Sequence, residues 1–313
     1  MPSDSGASAV AQGALQLRNM PENGAALRAR CWGTRGSMPT PGITTAGFGG
    51  NTSCVEVEAA GRQFIFDAGS GIRLLGEELM RRPAAVQAEV FLTHFHWDHI
   101  QGLPFFGPLY NPDTRIRMHG AMQGDIDIRT LIAGQMGPIY FPVPFDQVEA
   151  HMDFVHLNGE SWHEPGVVVD AIRVRHPADT YGYRVRCGNA SIAYIPDNEL
   201  VGGEYPLGAR ETYAKLVEFL DGADLLLHDA MFTTKEYEQR DGWGHSTFDQ
   251  AVQLAEDAGV KRLFLFHHAP ERTDADLSRI VEELRDDIAR RGSTLELEVA
   301  EEGEDLFVQE PIK

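Results

Sequence analysis

Residues 93–99 of this chain read Thr93-His94-Phe95-His96-Trp97-Asp98-His99. They follow an apolar run, Val90-Phe91-Leu92, that is typical of a short buried β-strand. Three imidazoles and one carboxylate therefore stand at a strand end, a combination of donors that suits zinc, iron or manganese. No cysteine belongs to the cluster, which argues against a purely structural zinc. The stretch favours a metal site that carries chemistry over a solvated histidine-rich loop or helix cap.

The chain around this stretch alternates between strand and helix patterns. Period-2 alternation and short apolar runs predict strands at residues 27–31, 52–58, 62–66, 89–93, 115–119, 167–175, 181–187, 191–195, 225–227 and 262–266. Helical spacing predicts helices at residues 72–80, 211–220, 247–258 and 275–290. Ser246 or Thr247 is expected to cap the third helix, and a final hairpin is expected to turn near Gly303.

This order of elements predicts one α/β domain over residues 27–313. Residues 1–26 are small and polar and are interpreted as a disordered N-terminal tail. Residues 102–153 are rich in proline, glycine and aromatic residues and are interpreted as an insertion near the site. The insertion is expected to wall a pocket or to form a dimer contact, with satellite core packing as the alternative.

The composition is that of a globular enzyme and narrows the function. Of the 313 residues, 42% are hydrophobic, and no run approaches the roughly 20 apolar residues that span a bilayer. Cys31, Cys54 and Cys187 lie far apart, so they indicate neither a disulfide framework nor a cysteine zinc site. The separated cysteines and the lack of a secretory signal pattern together predict a cytoplasmic protein with no membrane partner. The net charge of −20 predicts that long nucleic acids are not partners.

The spacing His-x-His-x-Asp-His at residues 94–99 resembles the signature of the metallo-β-lactamase fold. The order of later polar residues is similar over nearly the whole domain, because His176 and Asp197 each follow a predicted strand. Alone, His176 reads as an exposed histidine and Asp197 as a turn residue, but their positions after strands favour metal ligation. The last ligand is expected from His267-His268, and strand parity and the family pattern both favour His267.

The resemblance implies a four-layer αββα metallo-β-lactamase fold with two divalent metal ions. Zinc is the metal expected first, and manganese and iron are the alternatives. It implies that His94, His96 and His176 bind the first ion, that Asp98, His99 and His267 bind the second, and that Asp197 bridges them. Two ions about 3.5–4 Å apart can share a hydroxide that attacks an ester. The expected activity is therefore hydrolysis.

Two motifs of the second half resemble the phosphodiesterase branch of this fold, which includes ribonuclease Z and the phosphoribosyl cyclic phosphodiesterases. They are Asp224-Leu225-Leu226-Leu227-His228-Asp229-Ala230 and Gly244-His245-Ser246-Thr247. The resemblance implies that His245 approaches the phosphate and that Asp229 orients it, so these two and Asp98 are the expected catalytic residues. The alternative for His245 is a histidine that merely precedes a helix cap. His228 is expected to be structural.

The function predicted is a dinuclear metal-dependent phosphodiesterase acting on a small or cyclic phosphate ester. Ser70 and Pro270-Glu271-Arg272-Thr273 depart from the ribonuclease Z pattern, and no long basic arm is visible. Three rivals remain: an acyl hydrolase (lactonase, thioesterase or β-lactamase), a non-catalytic metal-binding sensor, and a diiron oxidoreductase. A small-molecule phosphate ester is the expected partner, with a homodimer possible. The glycine loops at residues 33–37 and 49–53 are interpreted as turns rather than phosphate contacts.

Overall fold

The computed structural model describes residues 27–308; the predicted tail at residues 1–26 lies outside the described residues, as do residues 309–313. The strands are β1 (Leu27–Gly33), β2 (Cys54–Ala59), β3 (Arg62–Phe66), β4 (Gln87–Phe91), β5 (Arg115–Gly120), β6 (His151–His156), β7 (Trp162–Glu164), β8 (Val167–Arg173), β9 (Tyr181–Cys187), β10 (Ala190–Ile195), β11 (Leu225–Asp229), β12 (Arg262–Phe266), β13 (Glu296–Val299) and β14 (Asp305–Val308). The helices are α1 (Ile72–Arg81), α2 (Trp97–Ile100), α3 (Ile128–Gln135), α4 (Ala209–Leu220), α5 (Thr234–Tyr237), α6 (Phe248–Asp257) and α7 (Asp274–Arg290). None of these helices has both the length and the apolar character that crossing a membrane requires.

The strands form two seven-stranded mixed sheets. The order is β14-β1-β2-β3-β4-β5-β6 in the first sheet and β13-β12-β11-β10-β9-β8-β7 in the second. Strands β3 to β6 run parallel, as do β10 to β13. Aromatic side chains such as Phe66, Phe91 and Phe264 fill the space between the sheets. Helices α1 and α3 cover the outer face of the first sheet, and α4, α6 and α7 cover that of the second. The predicted four-layer αββα fold is confirmed.

Helix α6 shows how local sequence sets an element. Thr247 is its N-cap, because the Thr247 hydroxyl accepts from the Gln250 amide at 3.2 Å and the Gln250 side chain accepts from the Thr247 amide at 3.1 Å. This reciprocal capping box satisfies two amides that the helix cannot pair itself. Ser246, the other candidate cap, instead donates its hydroxyl to the carbonyl of Asn198.

The hairpin predicted near Gly303 is wrong. Strands β13 and β14 flank Gly303, but β13 pairs parallel with β12 in the second sheet and β14 pairs antiparallel with β1 in the first. Gly303 therefore lies in a crossover between layers, where its amide donates to the carbonyl of Cys31 at 2.8 Å. Two strands have the same alternating pattern whether they form a hairpin or belong to different sheets, so only their pairing partners distinguish the two arrangements.

The segment at residues 102–153 extends the first sheet. It contains β5, the helix α3 and the first half of β6, and β5 and β6 pair parallel with each other. Leu103, Phe106 and Leu109 are buried in the same cluster as the side chains of α1, so part of the segment is core packing. Ile139 and Tyr140 are exposed, and a pocket or dimer role for this part stays a prediction.

Candidate metal centre

The predicted ligands gather at the carboxyl ends of neighbouring strands. His94 to His99 follow β4, Asp197 follows β10, and His267 follows β12. Strands β10 and β12 are both parallel to the β11 that lies between them, so their ends meet at one edge of the second sheet. Ligands and substrates commonly bind at this edge of open α/β sheets.

The first cluster consists of His94, His96, His176 and Asp197, whose ligand atoms lie within 4.8 Å of one another. His96 Nδ1 lies 3.1 Å from His176 Nε2, and Asp197 Oδ2 lies 3.5 Å from His176 Nε2. Ligands of a tetrahedral zinc ion with bonds of about 2.0–2.1 Å are about 3.3 Å apart, so these separations fit. Burial lowers the pKa of His176 to about 4, so its imidazole is neutral at pH 7, as a metal ligand must be.

The second cluster consists of Asp98, His99 and His267, and it shares Asp197 with the first. Asp197 Oδ1 lies 3.1 Å from both His99 Nε2 and His267 Nε2, and Asp98 Oδ2 lies 3.1 Å from His267 Nε2. Burial works to raise the pKa of Asp197, but the adjacent imidazoles His267 and His99 outweigh it and hold that pKa well below the usual range. His99 and His267 likewise outweigh burial at Asp98 and hold its pKa well below the usual range, so both carboxylates are available to a cation.

Three buried atoms that face the other ligands of these clusters lack a hydrogen bond of acceptable geometry within residues 27–308, as does His267 Nδ1 on the opposite side of its ring from Nε2. The three are His94 Nε2, His99 Nε2 and Asp197 Oδ1. Leaving a buried polar atom unsatisfied costs about 1–3 kcal/mol. A divalent cation between the clusters would satisfy all three, so the donor set and its unpaired atoms both fit a metal centre.

Asp67, which the sequence reasoning missed, orients the second cluster. It follows β3 and accepts from His99 Nδ1 at 2.8 Å, from the Tyr194 hydroxyl at 2.9 Å and from the Thr93 amide at 2.8 Å. His99 Nε2 is thereby left facing the centre. The available signal was an aspartate directly after a strand, the same pattern that pointed to Asp197.

Replacing Asp67 by asparagine is expected to lower zinc affinity about 10- to 100-fold. The amide has one acceptor oxygen in place of two, while four donors converge on this side chain, the Thr93 hydroxyl being the fourth. Chelator competition at pH 7 measures the change. The matched control is Asp170→Asn. Asp170 lies on the strand β8 and pairs with Arg186, so its replacement should leave the zinc affinity unchanged. Equal affinities in both variants would refute the orienting role.

The consecutive histidines 267 and 268 point in different directions. His267 has a φ of +60° and faces the second cluster, whereas His268 Nε2 donates to the carbonyl of Ala300 at 3.0 Å. His268 is buried, and burial lowers its pKa to about 3. The geometry thus brings His267, the residue favoured from the sequence, to the centre and leaves His268 in a structural position.

His268 is expected to make the metal-free protein acid-sensitive. Between its ordinary pKa of 6.5 and about 3, the unfolded chain binds a proton that the folded chain excludes, so stability falls as the pH drops through this range. His268→Gln keeps a donor for Ala300 but cannot titrate. Between pH 7 and pH 5, the Tm of this variant should therefore fall by a few °C less than the Tm of the unsubstituted chain. The exposed His163→Gln is the control, and identical losses in all three proteins would contradict the prediction.

His245 and Asp229 lie together beside the metal clusters. His245 Nδ1 is 2.8 Å from Asp229 Oδ2, and the His245 ring stacks on His267 at a centroid distance of 5.0 Å. Burial works to lower the pKa of His245, but the charge and hydrogen bond of Asp229, helped by Asp197 and Asp98, outweigh it and raise the pKa to about 9. The Asp229 carboxylate therefore favours the imidazolium form of His245. His228 is buried in bonds to Asn198 and the Asp229 carbonyl, away from this pair.

Two residues of the glycine loop at residues 33–37, Arg35 and Ser37, form hydrogen bonds within the protein. The Arg35 guanidinium is fully buried and donates to the carbonyls of Gly49 and Arg272, each at 2.7 Å. The Ser37 amide donates to Asp98 Oδ2 at 2.7 Å. This loop therefore orients a candidate ligand instead of presenting Arg35 to a phosphate.

Residues 62–268 match the family model described as the beta-lactamase superfamily domain. This chain belongs to the β-lactamase superfamily. Ribonuclease Z of Brevibacillus brevis is 24% identical over 298 residues, covering 80% of this chain and 88% of its own. Ribonuclease Z of Halobacterium salinarum is 28% identical over 285 residues, covering 79% and 88%. The resemblance to metallo-β-lactamase-fold hydrolases and their phosphodiesterase branch is confirmed.

Solved structures of the superfamily share the fold. A diphosphatase of the PhnP family has a TM-score of 0.63 at 20% identity, covering 91% of this chain and 98% of its own. The short form of human tRNase Z has a TM-score of 0.59 at 21% identity, covering 89% and 98%. At these identities the likeness extends to the fold alone.

The prediction that long nucleic acids are excluded as partners is wrong. The superfamily relatives reported above are named ribonuclease Z, and by that name they act on RNA. The prediction relied on the net charge of the whole chain, whereas nucleic-acid binding depends on how charge is arranged locally.

Ser70, which departs from the ribonuclease Z pattern, stabilises its own loop. Its hydroxyl accepts from the Thr52 amide at 2.9 Å and donates to the Asn51 side chain at 3.0 Å.

Proposed function

We propose that this protein is a phosphodiesterase that uses two divalent ions, zinc before manganese or iron. The observation that carries the proposal is the position of Asp197, since Oδ2 lies 3.7 Å from His94 Nε2 while Oδ1 lies 3.1 Å from His267 Nε2. One carboxylate would thus serve as a ligand to both ions. The residues that would hold them are His94, His96 and His176 on one side and Asp98, His99 and His267 on the other. Bound there, the ions supply a nucleophile at neutral pH and stabilise negative charge on phosphoryl oxygens.

His245 is the proton donor in the reaction that we propose. As the bond between phosphorus and the leaving oxygen breaks, His245 Nε2 transfers its proton to that oxygen. Asp229 accepts from Nδ1 at 2.8 Å and stabilises the imidazolium before the transfer. Asp98 contributes as a ligand, held by the Ser37 amide.

The proposed substrate is a phosphodiester, with a small or cyclic phosphate ester to be tested first. A protein of solved structure that shares this fold is a diphosphatase of the PhnP family. RNA is the second candidate, which the names of the curated relatives favour.

The test is hydrolysis by protein reconstituted with zinc or manganese. The panel contains bis-p-nitrophenyl phosphate, 2′,3′- and 3′,5′-cyclic nucleotides, and an RNA with a 3′ extension. We expect metal-dependent release of product from at least one of them, lost in the double variant His94→Ala/His96→Ala. A fully metallated protein that cleaves lactones or thioesters but none of these phosphodiesters would replace the proposal with acyl hydrolysis.

A further inference from the structure

Glu199 is a buried carboxylate for which the proposed mechanism has no use. It lies two residues after Asp197, and its side chain is inaccessible to solvent. It accepts from the Gly242 amide at 2.8 Å, from the Gly244 amide at 2.8 Å, and from the hydroxyls of Tyr205 and Tyr237. Four donors thus converge on one side chain. Only a carboxylate offers enough lone pairs on two oxygens to accept all of them.

The two amides that Glu199 binds belong to the segment at residues 242–245, which touches the metal centre twice. The Gly244 carbonyl accepts from His176 Nδ1 at 2.9 Å, which leaves His176 Nε2 facing the first cluster. The next residue is His245. Gly244 has a φ of +90°, and a Cβ atom there would lie 2.3 Å from His176 Nδ1, so backbone and imidazole are in close contact. Displacing Gly244 would therefore disturb both histidines.

The backbone of Glu199 is itself held in place. Its amide donates to the Arg175 carbonyl at 2.8 Å, and the Arg175 guanidinium donates to the Glu199 carbonyl at 2.7 Å. Arg175 directly precedes His176. Glu199 is thus fixed to the strand ends that carry Asp197 and His176, and its carboxylate reaches across to the segment at 242–245.

We propose that Glu199 is a positioning residue that fixes His176 for the metal and His245 for proton transfer by anchoring the amides of Gly242 and Gly244. The role of Glu199 toward His245 rests on the proposed function. Its role toward His176 affects metal affinity and does not depend on which substrate is cleaved. Loss of the anchor frees the Gly244 carbonyl from its place behind His176 Nδ1.

The variant Glu199→Gln tests this, because glutamine has nearly the same size but one acceptor oxygen. Zinc affinity, measured by chelator competition, is expected to fall about tenfold or more, as when other partners of metal ligands are removed. Hydrogen exchange of the metal-free protein is expected to become faster at residues 242–245. With a cyclic nucleotide substrate, whose leaving alkoxide needs the proton of His245, kcat should fall more than KM changes. Tyr205→Phe is the matched control, since it removes one donor to Glu199 but neither amide bond, and it should stay within about twofold of the unsubstituted protein.

A lower Tm with unchanged zinc affinity and unchanged exchange at residues 242–245 would reduce Glu199 to a purely structural role and overturn the proposal. If Glu199→Gln does not fold, Glu199→Asp is measured in the same way. It keeps the charge but is one methylene shorter, so unchanged zinc affinity there also overturns the proposal. Should the unsubstituted protein bind zinc but cleave no phosphodiester, the proposed function fails while the affinity and exchange measurements still decide the role of Glu199.

Discussion

Replacing His94 and His96 together by alanine is expected to abolish metal-dependent hydrolysis. These residues provide Nε2 and Nδ1, two of the four donors in the first cluster, and the remaining pair of His176 and Asp197 cannot hold an ion at the same affinity. In the proposed function the ions would stabilise the developing negative charge by several kcal/mol, so turnover should fall about 10³-fold or more. The metal content of the dialysed protein and the initial rate with bis-p-nitrophenyl phosphate measure the two effects.

The control for this double variant is His151→Ala/His156→Ala. Both histidines are exposed on the strand β6 and belong to neither cluster. The control should therefore keep the full metal content and rate, which separates loss of the centre from loss of histidines in general. A His94→Ala/His96→Ala protein that retained two equivalents of metal and its activity would refute the assignment of the first cluster.

Replacing His245 by alanine is expected to lower kcat about 10²- to 10⁴-fold while the metal content stays unchanged. His245 lies beside the ligands but is held by Asp229, so removing it takes away the proton donor and leaves the ligand sets complete. The loss should depend on the leaving group. A cyclic nucleotide expels a basic alkoxide that needs the proton, whereas p-nitrophenolate leaves readily without it.

The rates of both substrates, together with the metal content, check this prediction. A much larger loss with the cyclic nucleotide than with bis-p-nitrophenyl phosphate supports proton donation by His245. Equal losses of metal and activity would instead make His245 a ligand, an arrangement compatible with its approach to Asp197 and His267. The general-acid role would then be abandoned.

Much of the fold could be predicted from local patterns. The strands β3, β9 and β12 have the predicted bounds, because their alternating or continuous apolar residues match the two faces of a buried sheet. The helix α3 and the strand β6 were missed. Of their residues, few are buried, so neither shows a clear apolar period.

The candidate ligands were visible because a metal site needs particular side chains close together. Residues 94–99 bring four donors within one short loop, and His176, Asp197 and His267 each follow a strand that its own pattern reveals. Such features depend on neighbours in the chain. They could therefore be recognised, and the family named, before any contact across the molecule was known.

Contacts between distant parts of the chain decided the rest. Asp67 meets His99 across 32 residues, and the Gly244 carbonyl meets His176 across 68. The pairing partners of β13 and β14 depend on how the two sheets face each other. Hydrogen bonds of this kind form only where packing of the layers brings donor and acceptor to about 3 Å, so a linear pattern carries no record of them.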